Sequence, residues 1–277
     1  GSFLPLLFNL TGIQPYSTYG YVFHVTNAFG ESWSDAVTFT AGSGLSSSSV
    51  WDGGGGTNLF VDAAGNWEAD ALPDFNGVSH ALFGSGGVTA RVNRVVSLYG
   101  ITFNRNGNFT LASSGGSVVL RAGGVTAATP SATSRTYALE ADLTLADQQV
   151  WAVTNNGAGA ASLDVAGVIS DGVTPCGITK TGDGTLTLKA ANTYNGVTTV
   201  SNGLVAITHA SALGSTSGAT VVRSTQGGRL QLSGGLAVAE PLTLNGERAG
   251  SGYSLYNSGG SNVWSGALTR IGQTRIN

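Results

Sequence analysis

The sequence predicts an all-β protein whose main part is a parallel β-helix, a solenoid of stacked coils. Its 277 residues include 43 glycines, and only 10% of them are charged, against about 25% in an average soluble domain. Gly, Ser, Thr and Val form helices poorly, whereas Thr and Val favour short strands and Gly favours the turns between strands. From residue 88 onward, short apolar runs recur between Gly or Asn turns with no helical period.

Internal similarity indicates a repeating unit within residues 88–277. The segment Ala141–Leu145 is echoed by Ala239–Leu244, and Thr185–Leu188 is echoed by Arg229–Gly235. The period is not exact, and a loose unit of about 20 to 25 residues fits the pattern. Solenoids tolerate such variation because each coil contacts only its neighbours. We therefore expect residues 88–277 to form the β-helix.

Residues 1–41 are predicted to form a separate unit, in which alternation from Tyr19 to Val25 indicates a strand. The order Leu10–Pro15, then Tyr19, then Asn27–Ser32 resembles the C-terminal half of a fibronectin type III domain. The resemblance implies a tyrosine corner at Tyr19, in which the hydroxyl bonds back to upstream backbone. It also implies a partial fibronectin type III-like β-sandwich whose other half lies upstream of residue 1, so we expect the chain to be a fragment.

Two short segments connect this unit to the β-helix. Residues 42–50 are rich in Gly and Ser and are predicted to be a linker. Residues 51–87 carry Trp51 and Trp67 in a Gly-rich setting. We expect them to form an N-terminal cap, because an uncovered solenoid end exposes its core and its strand edges. The glycines at 53–56 lack the Lys-Ser/Thr of a phosphate-binding loop.

The pattern of residues 177–204 is explained by one coil of a β-helix. Their sequence is GITKTGDGTLTLKAANTYNGVTTVSNGL. Leu186 and Leu188 are predicted to face the interior, with Thr185 and Thr187 on the other side of the strand. Asn195-Gly196 is a turn that tolerates positive φ. Strand, corner, strand and corner follow one another, so stacked coils would bury a narrow aliphatic interior.

The same stretch closely resembles the autotransporter-associated β-strand repeat. The positions that match that repeat are Gly177, Thr179, Lys180, Gly182, Gly184, Thr185, Leu186, Leu188, Asn192, Thr193, Tyr194, Gly196, Thr198, Val200, Gly203 and Leu204. Ile178 departs conservatively from the usual Leu. The segment from Trp51 to Asn104 also resembles the N-terminal part of large secreted solenoids that carry this repeat.

This resemblance implies a right-handed parallel β-helix exposed outside a Gram-negative-type bacterium, extracellular or on its outer surface. The repeat at about residues 177–204 carries no catalytic residues in that family, so none is transferred to this chain. The translocating C-terminal β-barrel of an autotransporter is absent from the sequence, and the β-helix is expected to be truncated at its C-terminus. An uncapped C-terminal end predicts end-to-end self-association of the chain.

Three classes of function remain open. The first is a structural or adhesive extracellular stalk without catalytic activity, which needs only a rigid, weakly charged β-helix. The second is a polysaccharide-degrading lyase or hydrolase, for which the best acidic set is Asp142, Asp147, Asp164 and Asp171. The third is a module that binds extracellular polysaccharide or cell-surface glycans through aromatic stacking. Its candidate residues are Trp51, Trp67, Tyr253, Tyr256 and Trp264. We favour the stalk, because a fold shared with polysaccharide-degrading enzymes is not by itself evidence of enzymatic activity.

Other partners and cofactors are not predicted. The net charge of −3 comes without a basic stripe, which disfavours nucleic acid. No apolar run approaches the roughly 18 residues of a membrane-spanning helix. The single Cys176 is interpreted as a small packed residue.

Metal sites are not predicted either. Four aspartates in the cap match neither an EF-hand nor a calcium-binding β-roll, namely Asp52, Asp62, Asp70 and Asp74. The histidines lie in different units and lack the spacing of a zinc site, namely His24, His80 and His209.

Overall fold

The computed structural model describes residues 18–27, 30–40, 47–55, 58–60, 63–246 and 252–277. The chain divides into two compact units, residues 1–46 and residues 47–277. In the described part of the chain, no helix is long and apolar enough to cross a membrane.

The first unit contains two antiparallel pairs of short strands. Strand β1 (Thr18–Tyr21) pairs with β4 (Val37–Thr40), and β2 (His24–Asn27) pairs with β3 (Gly30–Trp33). The Leu10–Pro15 part of the fibronectin resemblance, and Ala28 and Phe29 of its turn, lie outside the described residues. The fibronectin-like sandwich therefore stays a prediction.

The second unit is a parallel β-solenoid with two large sheets, here called sheet A and sheet B. Sheet A contains β5 (Ser47–Val50), β6 (Ser79–Phe83), β8 (Val96–Asn104), β10 (Ser117–Ala128), β12 (Asp142–Leu145), β13 (Gln149–Thr154), β15 (Ile169–Asp171), β16 (Ile178–Thr181), β18 (Thr198–Val200), β20 (Thr220–Arg223), β23 (Leu242–Asn245) and β26 (Leu268–Ile271). Sheet B contains β7 (Thr89–Val92), β9 (Phe109–Ser113), β11 (Arg135–Leu139), β14 (Ala161–Val165), β17 (Thr185–Leu188), β19 (Leu204–Ile207), β21 (Arg229–Ser233) and β24 (Leu255–Gly259).

Each coil also crosses a narrower third face. There β12 pairs with β15 and with the first half of β10, and β22 (Ala237–Val238) pairs with β25 (Val263–Trp264). Three short 3-10 turns lie at Ala64–Asn66, Glu68–Asp70 and Ser224–Gln226. The prediction of an all-β solenoid is confirmed.

The eight strands of sheet B mark about seven complete turns. Coil length varies more than the predicted unit of about 20 to 25 residues. It is 28 residues between the paired Leu111 and Leu139, and 19 between the paired Leu188 and Ile207. The longer coil carries its extra residues in the turn around residues 129–134. The parallel ladder is insensitive to such insertions because they leave the strand register unchanged.

The interior is a set of columns running along the solenoid axis. On sheet B, Leu186 and Leu188 face inward and are buried, while Thr185 and Thr187 between them are half-exposed, as predicted. Register continues the first column through paired residues of successive coils, namely Phe109, Tyr137, Leu163, Leu186, Val205, Leu230 and Leu255. Every member of this column is buried. The predicted assignment of one coil to residues 177–204 is therefore consistent with the register.

The start of the solenoid differs from the expected linker. Ser47–Val50, which the sequence assigned to the linker at 42–50, pair in parallel with Ser79–Leu82 of β6. The sheet edge is completed by backbone hydrogen bonds, which Ser supplies as well as any other residue. Beyond this strand Trp51, Phe60 and Trp67 are fully buried and in mutual contact. The other predicted boundaries, with the cap at 51–87, stay predictions.

Candidate functional site

The four aspartates considered for polysaccharide cleavage lie at separate places on the solenoid surface. Asp164 points outward from β14 and pairs with Lys189, its Oδ2 lying 2.7 Å from Nζ. Asp142 begins β12 on the third face, and its Oδ1 accepts the Val168 N–H at 2.8 Å. Both carboxylates thus hold neighbouring coils together.

The other two aspartates lie near the turn that leads from the third face to sheet A. Asp171 accepts the N–H of Cys176 at 3.0 Å and of Asn195 at 2.7 Å, and its Oδ1 accepts the Asn195 amide at 2.9 Å. Burial raises the pKa of the Cys176 thiol, and the nearby carboxylates of Asp171 and Asp147 raise it further. Asp171 therefore fastens the turn of the following coil, at the Asn-Gly predicted to be a corner.

The aspartates of the cap are engaged in local turns. The Oδ1 atom of Asp52 accepts the Gly54 N–H at 2.9 Å, and Asp74 accepts the Asn76 amide at 2.9 Å. Asp62 lies outside the described residues. Among the described residues, no three His, Cys, Asp or Glu side chains are grouped so that they could hold a metal ion.

Two of the five aromatic candidates for glycan stacking have no ring face open to solvent. Trp51 and Trp67 are 0% exposed and meet edge to face with their ring centroids 5.4 Å apart. The Trp67 indole donates to the carbonyl of Phe60 at 3.0 Å. Bulky aromatics in a Gly-rich segment fill the end of a narrow core, so their position agrees with packing rather than with sugar stacking.

The remaining aromatic candidates lie on the last two coils. Tyr253 is 41% exposed, whereas Tyr256 is half-buried and donates its hydroxyl to Gln231. Trp264 is half-buried and donates its indole N–H to the Glu240 carbonyl at 2.8 Å. These three residues keep the glycan prediction open.

A cavity of about 190 Å³ adjoins Trp264 at the last coil and is lined also by Asn257 and Asn262. Both amides are occupied within the chain. Asn262 donates to Asn257 at 2.7 Å and accepts the Leu236 N–H at 2.7 Å, and Asn257 donates to the Gly260 carbonyl at 2.8 Å. The cavity therefore offers an apolar wall but few unengaged amide groups for a sugar.

The repeat coil itself contains a buried cation. Lys180 takes an interior position in β16, paired with Trp151 of the preceding coil and Val200 of the next, and is 0% exposed. Its ammonium donates to the carbonyls of Thr181 at 2.7 Å, Gly182 at 2.9 Å and Asn202 at 3.1 Å. It thus joins two successive turns between sheets A and B. Burial lowers the pKa of Lys180 to about 8, against the opposing effect of Asp183.

A second set of buried polar side chains extends from the repeat coil toward the C-terminus. The Tyr194 hydroxyl lies 2.5 Å from the Thr198 hydroxyl, and Thr198 donates to the Leu213 carbonyl at 3.1 Å. Thr198 stacks on Thr220, whose hydroxyl lies 3.4 Å from Oε1 of Glu240. Burial raises the pKa of Glu240 to about 7 and raises that of Tyr194 further above its ordinary value. Tyr194 is 0% exposed and anchors a corner, so it is not an accessible nucleophile.

Sequence reasoning did not find the interior roles of Lys180 and Glu240. The period-two pattern of Thr179-Lys180-Thr181 does place Lys180 on the face opposite its two threonines, and this is the signal that was available. Glu240 precedes Pro241, outside any strand, so no periodicity marks it. Cys176 is buried, as interpreted, and its thiol lies 3.3 Å from the Thr174 carbonyl.

Residues 178–207 match the family model of the passenger-associated transport repeat. No curated protein and no solved structure shows significant similarity to the chain. The match covers β16 to β19, the coil that holds Lys180 and Tyr194. The chain therefore contains a β-helix repeat region of the autotransporter passenger type. Such repeats occur in passengers, are typically non-catalytic, and imply secretion or a surface location.

Proposed function

We propose that residues 47–277 are a length of non-catalytic extracellular stalk, structural or adhesive, in a large bacterial surface or secreted protein. The observation that carries this proposal is the continuous packed interior, in which every coil stacks on the next from the buried Trp51 to Leu255. Such a solenoid needs no distant contacts and can be lengthened coil by coil. The right-handed sense, the surface of a Gram-negative-type bacterium, and a fibronectin type III-like part in residues 1–41 belong to the same proposal.

The hydrogen bonds that the carboxylates accept, and their separate positions, support the stalk over an enzyme. Glycoside cleavage needs two carboxyl groups facing one sugar across a cleft. Asp142, Asp164 and Asp171 instead accept hydrogen bonds from neighbouring coils, and they lie on different faces. Their role as structural acceptors explains why Asp occurs at these positions without any catalytic demand.

The alternative function is a polysaccharide-binding or polysaccharide-degrading module. One observation favours binding over cleavage: the last coils carry both an exposed aromatic ring, Tyr253, and a cavity lined in part by Trp264. Aromatic rings stack on sugars through their apolar faces, and this end of the solenoid offers such a face. A binding module would still be non-catalytic.

The test is a panel of extracellular polysaccharides, scored in parallel for retention of the 277-residue chain and for release of reducing sugars. The stalk proposal expects neither. Release that is lost in Asp142→Asn, Asp147→Asn, Asp164→Asn or Asp171→Asn would establish an enzyme. Retention that is lost in Tyr253→Ala but kept in the exposed control Val150→Ala would establish a glycan module.

A further inference from the structure

The charged residues of the solenoid are sorted into bands along its axis. Residues 51–90 contain five acidic residues and no basic one, and residues 91–139 contain five arginines and no acidic one. Residues 140–189 contain six acidic residues and two lysines, and residues 190–277 contain five arginines and two glutamates. Because coils stack in sequence order, these bands follow one another along the axis.

One edge of the solenoid carries this alternation in a regular form. It is the A–B corner, defined as the turns that follow β5, β6, β8, β10, β13, β16, β18 and β20 on the way to sheet B. After β5 this turn leads to Leu59, which bridges Arg91 of β7 in parallel. Asp52 follows β5, Arg105 follows β8, Asp183 follows β16, and Arg223 ends β20. The order of these four charges along the corner is acidic, basic, acidic and basic, and Arg229, which begins β21 after the same turn as Arg223, adds a second basic residue there.

Contacts between coils show that these turns are stacked neighbours. The Arg105 guanidinium donates to the Ser85 carbonyl at 3.1 Å and the Gly86 carbonyl at 2.8 Å in the preceding turn. The Asn155 N–H donates to Asp183 in the following turn at 2.9 Å. The side chains of Asp183 and Arg223 are exposed. Asp52 and Arg105 are half-exposed. The stacking of the turns therefore fixes the position of each charged residue along the solenoid axis.

The spacing of the four charges is symmetric. Along sheet A the strands run β5, β6, β8, β10, β13, β16, β18 and β20. The four charges therefore lie two, three and two coils apart, or roughly 10, 14 and 10 Å at about 4.8 Å per coil. When two copies of this row (−, +, −, +) are aligned antiparallel, each charge of one copy lies opposite a charge of the other sign in the second copy. Arg135, which begins β11 after β10, would face the uncharged turn after β13.

We propose that two copies of this chain associate side by side and antiparallel along the A–B corner. A two-fold axis between the turns after β10 and β13 places Asp52 opposite Arg223 of the second copy and Arg105 opposite its Asp183. Symmetry repeats each pair, so the dimer contains four opposed charge pairs. A parallel pair in register would oppose like charges. This proposal does not depend on the stalk function.

The charge distribution also fixes how salt should act. Net charge is only −3, so overall repulsion between copies is weak. The Debye length is about 10 Å at 0.1 M salt and about 3 Å at 1 M, so exposed pairs attract at low salt and are screened at high salt. Dimerisation through the corner is therefore expected in about 20 mM NaCl and is expected to be lost in about 1 M NaCl. End-to-end association through apolar coils would persist at high salt.

Charge reversal tests the register by sedimentation equilibrium. Arg223→Glu places like charges opposite Asp52 twice in each dimer and should weaken dimerisation at low salt by about ten-fold or more. Arg91→Glu is the matched control, because Arg91 is also exposed and makes the same change in net charge, but it lies in β7 away from the corner. A monomer in 20 mM NaCl, or equal effects of the two variants, would overturn the proposal.

Crosslinking tests the orientation. Ala132→Cys places a thiol in the turn after β10, in a segment that closely approaches Gly159 of the next coil, within about half a coil of the proposed axis. A short bis-maleimide should join two Ala132→Cys copies at low salt and fail at high salt. Gln273→Cys lies at the far C-terminal end and should not crosslink in an antiparallel dimer. Crosslinking at Gln273→Cys with none at Ala132→Cys would replace this dimer by an end-to-end one.

Discussion

The coils up to Trp151 and the coils after it have different interiors. The earlier coils are filled by aromatic rings that stack along the axis, as in Phe83 on Phe103 and Phe103 on Tyr137, each pair at 5.3 Å. Among the largest fully buried side chains of the described residues, only Tyr194 and Lys180 belong to the later coils. There the core is aliphatic and is interrupted by buried polar groups.

The stability of the two regions therefore has different sources. Burial of aromatic area in the earlier coils does not depend on pH. In the later coils the fully buried Lys180 and the nearly buried Glu240 are titratable, with pKa values of about 8 and about 7. At neutral pH the later coils therefore contain one buried cation and a partly ionised buried anion, each with a desolvation penalty.

The largest expected effect is in the aromatic region. Trp67→Ala removes an indole that packs on Trp51 and Phe60 at centroid distances of 5.4 and 4.9 Å. The free energy of unfolding of the first coils should fall by about 3–5 kcal/mol, as is typical of a buried Trp replaced by Ala. Urea unfolding monitored by tryptophan fluorescence and by hydrogen exchange in β6 measures the loss. Tyr253→Ala, at an exposed ring, is the control and should change stability by less than about 1 kcal/mol.

The second effect is a pH dependence of the later coils that originates at Glu240. The folded-state pKa of Glu240 is raised from 4.5 to about 7, so between these values the folded state holds more protons than the unfolded state. Stability from this group is present below pH 4.5 and is lost as the pH rises through 7, by about 3 kcal/mol in total. The neighbouring groups are the Thr220 hydroxyl and the Tyr194 phenol.

Glu240→Gln should remove this pH dependence and stabilise the later coils above pH 7. Hydrogen exchange of the Thr220 amide, which donates to the Pro241 carbonyl at 2.8 Å, reports the local stability between pH 5 and 8.5. Glu140→Gln, at an exposed carboxyl, is the matched control and should leave the profile unchanged. A wild-type profile parallel to that of Glu240→Gln would contradict the assignment of a raised pKa.

The third effect separates the two lysines of the chain. Lys180→Met removes the donor to three carbonyls and leaves them unpaired, for an expected loss of about 2–3 kcal/mol around Asn202. Lys189→Met breaks only the surface pair with Asp164, in which Lys189 is 42% exposed, and should cost less than about 1 kcal/mol. Chemical denaturation of both variants at pH 7 makes the comparison. Equal losses would show that the buried ammonium is no better paired than the exposed one.

The lowered pKa of Lys180 predicts that the free energy of unfolding of the later coils also changes at alkaline pH. Its folded-state pKa is lowered from 10.5 to about 8, so between these values the unfolded state binds more protons. Stability from this group therefore rises as the pH increases from 8 to 10.5. Together with Glu240 this places the stability minimum of the later coils between about pH 7 and 8, and Lys180→Met should flatten its alkaline side.

The sequence allowed the fold to be predicted because Leu186 and Leu188 alternate with threonines and the turns fall at Asn and Gly. It did not allow the interiors to be distinguished. Trp67 lies in an irregular segment, and its full burial and its ring contacts with Trp51 and Phe60 show that it reaches the core. Lys180 follows the alternation of its strand, but its burial depends on the carbonyl groups that its ammonium contacts. These belong to Thr181, Gly182 and Asn202, which lie 1, 2 and 22 residues further along the chain. Long-range partners of this kind cannot be inferred from local pattern.

The smallest expected effect compares two adjacent threonines in the repeat coil. Thr198 is buried and links the Tyr194 hydroxyl to the Leu213 carbonyl, whereas Thr199 points outward from the same strand. Thr198→Val keeps the side-chain shape but leaves the Tyr194 hydroxyl and the Leu213 carbonyl unpaired, so the later coils should lose about 1–2 kcal/mol. Thr199→Val makes the same chemical change at a half-exposed position and should be neutral or slightly stabilising, because Val favours strands. Urea unfolding of the two variants at pH 6 is the measurement. Equal stabilities would show that the polar group around Tyr194 fills space without contributing through its hydrogen bonds, and that the later coils differ from the earlier ones only in their titratable residues.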